Sequence, residues 1–245
     1  MEHQTADLTP LQLSMKQSLG GARFRLINEM LYKSESDKAL EMMRKDPNVF
    51  QEYHAGFRLQ AQQWPTNPVS HYLSELSAFP KTTIIADLGC GDAALAKGLS
   101  PKGFRVLSFD LVADGEYVVE ADVCKGLPLP GKEDGRGQVI DVVVFALSLM
   151  NLNWITSVRE ARRILKNDGE LKIAEVTSRF TSVDNFVSLI ESLGFRLNNK
   201  DDSNSYFMLL DFQKVRRSQV SSQQEWAEIE LKAKKLLKPC EYKRR

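Results

Sequence analysis

The chain has 245 residues, 42% of them hydrophobic, and a formal net charge of +1, which suits a globular fold of one substantial domain with an extra segment. No stretch approaches the roughly eighteen apolar residues of a membrane span, and the opening residues lack the basic-then-apolar layout of a secretory signal, so an intracellular protein is expected. Cys90, Cys124 and Cys240 are too few and too far apart for a disulfide framework or a four-cysteine zinc site.

Residues 1–21 are polar, end in Gly20-Gly21 and are expected to be poorly ordered. From Ala22 the apolar positions Phe24, Ile27, Leu31, Ala39, Met42 and Met43 recur at helical spacing, which predicts a helical accessory segment over 22–78. Within it, Asn67 is a good N-cap and Pro68 a good first residue for the last helix. Strands and helices then alternate over 79–214. The strands are "TTIIADL", "FRVLSFD", "EYVVEAD", the nearly continuous apolar run "VIDVVVFAL", and "ELKIAEVTS". "TSVREARRILKNDG" reads as an amphipathic helix capped by Thr156 and stopped by Gly169. "SVDNFVSLIESLG" reads as another helix, and "FRLNNKD" with "SYFMLLDFQK" as a closing antiparallel pair. The sum is an α/β fold: a seven-stranded, mostly parallel, doubly wound sheet with helices on both faces. Residues 64–213 carry 15 basic and 20 acidic side chains, whereas 214–245 carry 10 and 4, so the C-terminal helix and tail are the region best suited to a polyanion.

The most informative stretch is "IIADLGCGDAALA" at the first strand-to-helix turn, where a doubly wound sheet binds its ligand. Gly89 and Gly91 permit a tight turn and a close backbone approach. Gly89, Gly91 and Ala94, with Asp110 about twenty residues on, also satisfy a dinucleotide fingerprint, so a nicotinamide enzyme is the competing reading. Asp87 and Asp92 weigh against it, because carboxylates beside a pyrophosphate repel it. S-adenosylmethionine, with its sulfonium and ammonium, removes that conflict. Asp110 then accepts from the ribose hydroxyls, and Asp122 with the Val123 amide stands where an adenine is read.

Further stretches narrow the family. "YHAGFRLQAQQWPTNPV", "ADLGCGDAALA", "VVVFALSLM", "ELKIAEVTSRF", "NSYFMLLDFQK" and "LKPCEYKRR" together resemble the methyltransferase domain of the ribosomal RNA-processing protein 8 (nucleomethylin) family. The resemblance implies a Rossmann-like class I methyltransferase with an N-terminal helical lid, S-adenosylmethionine as cofactor, and methylation of N1 of an adenosine in large-subunit ribosomal RNA. It implies a nuclear, nucleolar protein whose partner is that rRNA or a pre-ribosome. It also carries an alternative, a cofactor-sensing, histone-binding subunit of a ribosomal-gene silencing complex. Cofactor contacts carried over residue by residue fall on His54, Gly89, Asp110, Asp122, Val123 and Ala146. The chain departs from the family pattern at "FALSLMNLNW", where Ala146 replaces a cysteine and Asn151-Leu152 replace glycine and threonine.

N1 of a neutral adenine already holds a lone pair, so transfer to it needs alignment and exclusion of water more than a base. Ser148 and Asn151 after the fourth strand and Glu175 near the end of the fifth are the candidates for placing the base and stabilising the charge it gains. No Asn- or Asp-Pro-Pro-Tyr stretch follows the fourth strand and no Pro-Cys pair lies in the core, which disfavours methylation at an exocyclic amine or a cytosine carbon. Arg216, Arg217, Lys232, Lys234, Lys235 and 243–245 are candidate phosphate contacts, and Trp64 and Trp154 candidate stacking surfaces.

Overall fold

A computed structural model describes residues 9–132, 136–216 and 222–242. Arg217 and the Lys243-Arg244-Arg245 end of the expected basic tail lie outside the described residues. The strands are β1 (Ile84–Leu88), β2 (Arg105–Asp110), β3 (Val118–Glu120), β4 (Ile140–Ala146), β5 (Leu165–Val176), β6 (Phe195–Asp201) and β7 (Phe207–Lys214). They form one seven-stranded sheet in the order β3-β2-β1-β4-β5-β7-β6. Pairing is parallel from β3 to β5, while β7 runs antiparallel to both of its neighbours. Because β2 and β3 step away from β1 on one side and β4 returns on the other, the strand order reverses at β1. That reversal opens a crevice beyond the carboxyl ends of β1 and β4.

The apolar run of β4 is explained by burial on both faces. Val143 and Phe145 join Ala86, Leu88 and Phe109 in a core under α6 (Trp154–Ile164), α7 (Val183–Ser192) and α8 (Gln223–Ala233). Val142 and Val144 face the other way, with Ile85, against α4 (Pro68–Leu76) and α5 (Ala94–Leu99). Strand periodicity of two separates the two sets. The helices α1 (Pro10–Tyr32), α2 (Ser36–Lys45) and α3 (Asn48–Ala61) keep a third core of their own, built on Phe24, Ile27, Leu31, Met43, Val49, Phe50 and Tyr53. They form a cap.

Three sequence expectations are corrected. Residues 10–21 are helical, because Thr9 and Gln12 form a reciprocal capping box with Pro10 in the first turn, and Gly20 continues the helix where a side chain would meet open space. The 22–78 segment is not one lid, since α4 packs on the sheet through Tyr72 and Leu76. The helix expected to run to Gly169 starts one residue after Asn153, not at Thr156, and stops at Ile164. Buried Leu165 is already extended and pairs with Ile140, and a register shift to Val142↔Glu170 absorbs residues 166–169 as an irregularity in β5.

Candidate active site

The glycine turn follows directly from β1. Gly89 and Cys90 donate their backbone N–H groups to the Phe109 carbonyl at 2.8 and 3.1 Å, which ties the turn to β2. Gly89 has φ +73° and Gly91 φ +55°, both in the left-handed region. Each glycine also leaves room that a side chain would take: a Cβ on Gly89 would lie 2.5 Å from Ser148 Cβ, and one on Gly91 would lie 2.8 Å from His54 Cε1. The missing side chains therefore let the β4 loop and the cap close on the turn from two sides.

A cavity of about 430 Å³ runs along the crevice beneath the cap. Among the residues anticipated from sequence, His54, Gly89, Gly91, Asp92, Asp110, Asp122, Val123, Ala146, Ser148, Asn151 and Trp154 line it, whereas Asp87 and Glu175 do not. Asp110, at the end of β2, accepts the Gly91 and Leu111 N–H groups, each at 2.7 Å. Burial raises its pKa against the pull of His54 and these hydrogen bonds. Asp87 is 3% exposed; burial, helped by the neighbouring Asp110, pushes it up to about 7, and no cation beside it offsets this among the described residues. His54 projects from α3 against Phe50, with ring centroids 4.2 Å apart. Burial lowers its pKa although Asp110 and Asp92 pull the other way, so the imidazole is neutral near pH 7.

Asp122 follows β3 and is 9% exposed. Its carboxylate accepts the Cys124 N–H at 2.9 Å and the Ser36 hydroxyl at 2.7 Å. Ser36 opens α2 of the cap, and Asn153 grips it twice, accepting its N–H at 3.0 Å and donating to its Oγ at 3.1 Å. Cap, Asp122 and the loop after β4 are thus one hydrogen-bonded latch. Ser148 donates its hydroxyl to the Leu88 carbonyl at 2.6 Å and keeps lone pairs to accept from a ligand. Leu147 before it has φ +63°, a strained backbone for a branched residue.

Glu175 departs from its expected place at the substrate edge. It is 0% exposed, forms an ion pair with Arg179 at 2.7 Å, and accepts the Leu149 N–H at 3.1 Å. Arg179 in turn donates to the Leu149 and Lys238 carbonyls, each at 2.8 Å. The acid therefore holds the backbone of the β4 loop and does not face the cavity. Trp154 lines the cavity, but it is 3% exposed, its indole N–H is donated to Ala233 O at 3.3 Å and its ring stacks on Phe186, so it is held as a wall residue. Trp64 is half-buried between the edges of Phe57 and Phe207.

The family described as "Hypothetical methyltransferase" matches residues 10–245. The chain belongs to this family. It is 43% identical over 219 residues to a Schizosaccharomyces pombe protein named 25S rRNA (adenine(645)-N(1))-methyltransferase, covering 85% of this chain and 67% of that one. It is 39% identical over 243 residues to ribosomal RNA-processing protein 8 of Dictyostelium discoideum, covering 97% and 60%. The Mus musculus protein of the same name is 39% identical over 235 residues, with 48% of its length matched. The chain therefore spans about half to two thirds of these relatives. Among solved structures, a TehB-like SAM-dependent methyltransferase from Corynebacterium glutamicum superposes with TM-score 0.52 at 22% identity, over 69% of this chain and all of that one. The [4+2]-cyclase SpnF reaches 0.50 at 13% identity, over 61% and 81%. At such identity the likeness establishes the class I methyltransferase fold, which carries more than one chemistry.

The cavity of this family member fits S-adenosylmethionine: two glycines whose side chains would fill the cradle, an acid at each of two strand ends facing it, and apolar walls from Phe50, Phe57 and Leu73. The sequence reading missed Ser36, Phe50, Phe57 and Arg58. Arg58 carried a signal, four residues after His54 and so on the same helix face. Ser36 carried none, because its contact lies 86 residues away in the chain.

Proposed function

We propose that this chain is an S-adenosylmethionine-dependent methyltransferase that modifies N1 of an adenosine in large-subunit ribosomal RNA, acting on rRNA or a pre-ribosome in the nucleus, within the nucleolus. The observation that carries the reading is the cradle itself, glycines 89 and 91 with Asp110 and Asp122 at successive strand ends opening into one capped cavity. It occurs in a chain 43% identical to a relative named for adenine N1 methylation of 25S rRNA. The cofactor, when bound, supplies an electrophilic methyl group.

The residues divide the remaining work. Asp110 accepts from the ribose hydroxyls, as it already accepts two backbone N–H groups. Asp122 and the Val123 amide hold the adenine, with Ser36 fixing the orientation of the Asp122 carboxylate. His54 and the aromatic cap shut water out of the crevice. Ser148 and Asn151 stand on the cavity wall past β4, where their acceptors can hold the edge of a target adenine and face the positive charge that its ring gains on alkylation. Glu175 contributes through Leu149, as a positioning residue. The relatives' names give no support to the histone-binding alternative, and phosphate contacts fall to Arg216, Lys232 and Lys235; Lys234 is engaged with Glu35 at 3.3 Å.

Labelled S-adenosylmethionine, incubated with the protein and unmodified large-subunit rRNA, is expected to place its label on N1 of one adenosine. Asp110→Ala is expected to abolish both label and cofactor binding in a folded protein. Tight cofactor binding with no label in RNA would overturn the substrate assignment.

A further inference from the structure

The cavity wall is chemically lopsided. It carries the carboxylates of Asp92, Asp110 and Asp122, but Arg58 is the only Lys or Arg on it among the described residues. Burial keeps His54 uncharged near neutrality, so it supplies no second standing cation. Such a wall suits the positive groups of the proposed cofactor and repels its carboxylate everywhere except beside Arg58.

Arg58 is also in the right condition to bind. Its Nη1 donates to Asp92 Oδ2 at 2.6 Å, while its other N–H groups make no hydrogen bond among the described residues. The two side chains are 49% and 43% exposed, so their pair is water-screened and easily exchanged or shared. Asp92 belongs to the turn after β1, whereas Asp122 follows β3, two strands or about 10 Å away across the sheet. Paired with Asp92, Arg58 therefore stands on the β1 side of the cavity, away from Asp122.

We infer that Arg58 is the carboxylate clamp of this cavity: its guanidinium takes the carboxylate of the amino-acid end of the cofactor, two N–H donors to two oxygens. The inference rests on the proposed cofactor. It makes the cap a binding element at both ends, acting through Asp122 by way of Ser36 on the adenine side and directly through Arg58 on the amino-acid side.

Calorimetry with S-adenosylmethionine and with its decarboxylated analogue separates the possibilities. The wild type is expected to bind the analogue about tenfold or more weakly than the parent. Arg58→Gln is expected to lose that preference, weakening the parent compound by a similar factor and the analogue by less than about twofold, with an unchanged melting temperature. Arg58→Lys, which keeps the charge without the fork, should fall between. Equal loss for both ligands in Arg58→Gln would reduce the arginine to a structural partner of Asp92 and overturn the inference. Equal binding of both ligands by the wild type would overturn it without any variant. If the wild type binds neither ligand, the cofactor reading fails and takes the clamp with it.

Discussion

Asp87 and Glu175 occupy the same place in two strands, the last position but one of β1 and of β5, and both are almost fully buried, at 3% and 0% exposure. Their surroundings are opposite. Glu175 meets a guanidinium at 2.7 Å and two backbone N–H groups. Arg179 is itself 1% exposed and lies 4.6 Å from the Tyr32 ring centroid of the cap. Burial opposes the charge on Arg179, yet Glu175 and Tyr32 outweigh it and raise its pKa. Among the described residues Asp87 has only the like charge of Asp110 acting on it, and burial with that charge drives it up to about 7. A buried acid neutralised in place holds the structure together; one left without a counter-charge keeps its proton to a higher pH.

The largest effect should come from breaking the satisfied pair. Glu175→Gln leaves the buried Arg179 charge without its counter-ion, and such losses cost ~3–5 kcal/mol, to be read from denaturant unfolding. Converting both partners to apolar residues, Glu175→Leu with Arg179→Met, is expected to recover a good part of that cost. A single-variant loss under about 1 kcal/mol would mean that the two acids are not so different after all.

The unsatisfied acid should show itself in pH dependence. The folded-state pKa of Asp87 is raised from 3.8 to about 7, so between those values the native state keeps a proton that the unfolded state gives up. Its contribution to the stability of the ligand-free protein is therefore lost as pH rises through that window. A bound cation favours the ionised form, so cofactor affinity should strengthen several-fold from about pH 5.5 to about pH 7. Asp87→Asn should flatten both trends; an unchanged pH profile of affinity in that variant would remove Asp87 from the electrostatics of the site.

The smallest effect concerns the latch. Ser36→Ala removes one hydrogen bond to Asp122 and one from Asn153, which is worth ~1 kcal/mol in stability. A few-fold loss of cofactor affinity should accompany it, since Asp122 is then held by the Cys124 N–H alone. Full retention of affinity would show that Asp122 orients itself without the cap.

Much of this was written in the chain. The alternation of β-branched runs with amphipathic helices is local information, and it carried the seven strands and their two-faced burial. The glycine turn and the acids after β1, β2 and β3 were legible for a similar reason: a ligand crevice at the strand ends draws its residues from turns that the strand pattern locates. Other features were settled only by long-range packing. Glu175 reads as a site residue from its place in β5, and only the approach of Arg179 and the Leu149 backbone makes it structural. Ser36 and Arg58 reach the cavity because the cap folds back over the sheet; the spacing from His54 hints at Arg58, but the contact of Ser36 with a residue 86 positions away is encoded by no local spacing. The helix after β4 ends early where buried Leu165 pairs with Ile140 in the sheet, and that partner exists only in the folded molecule.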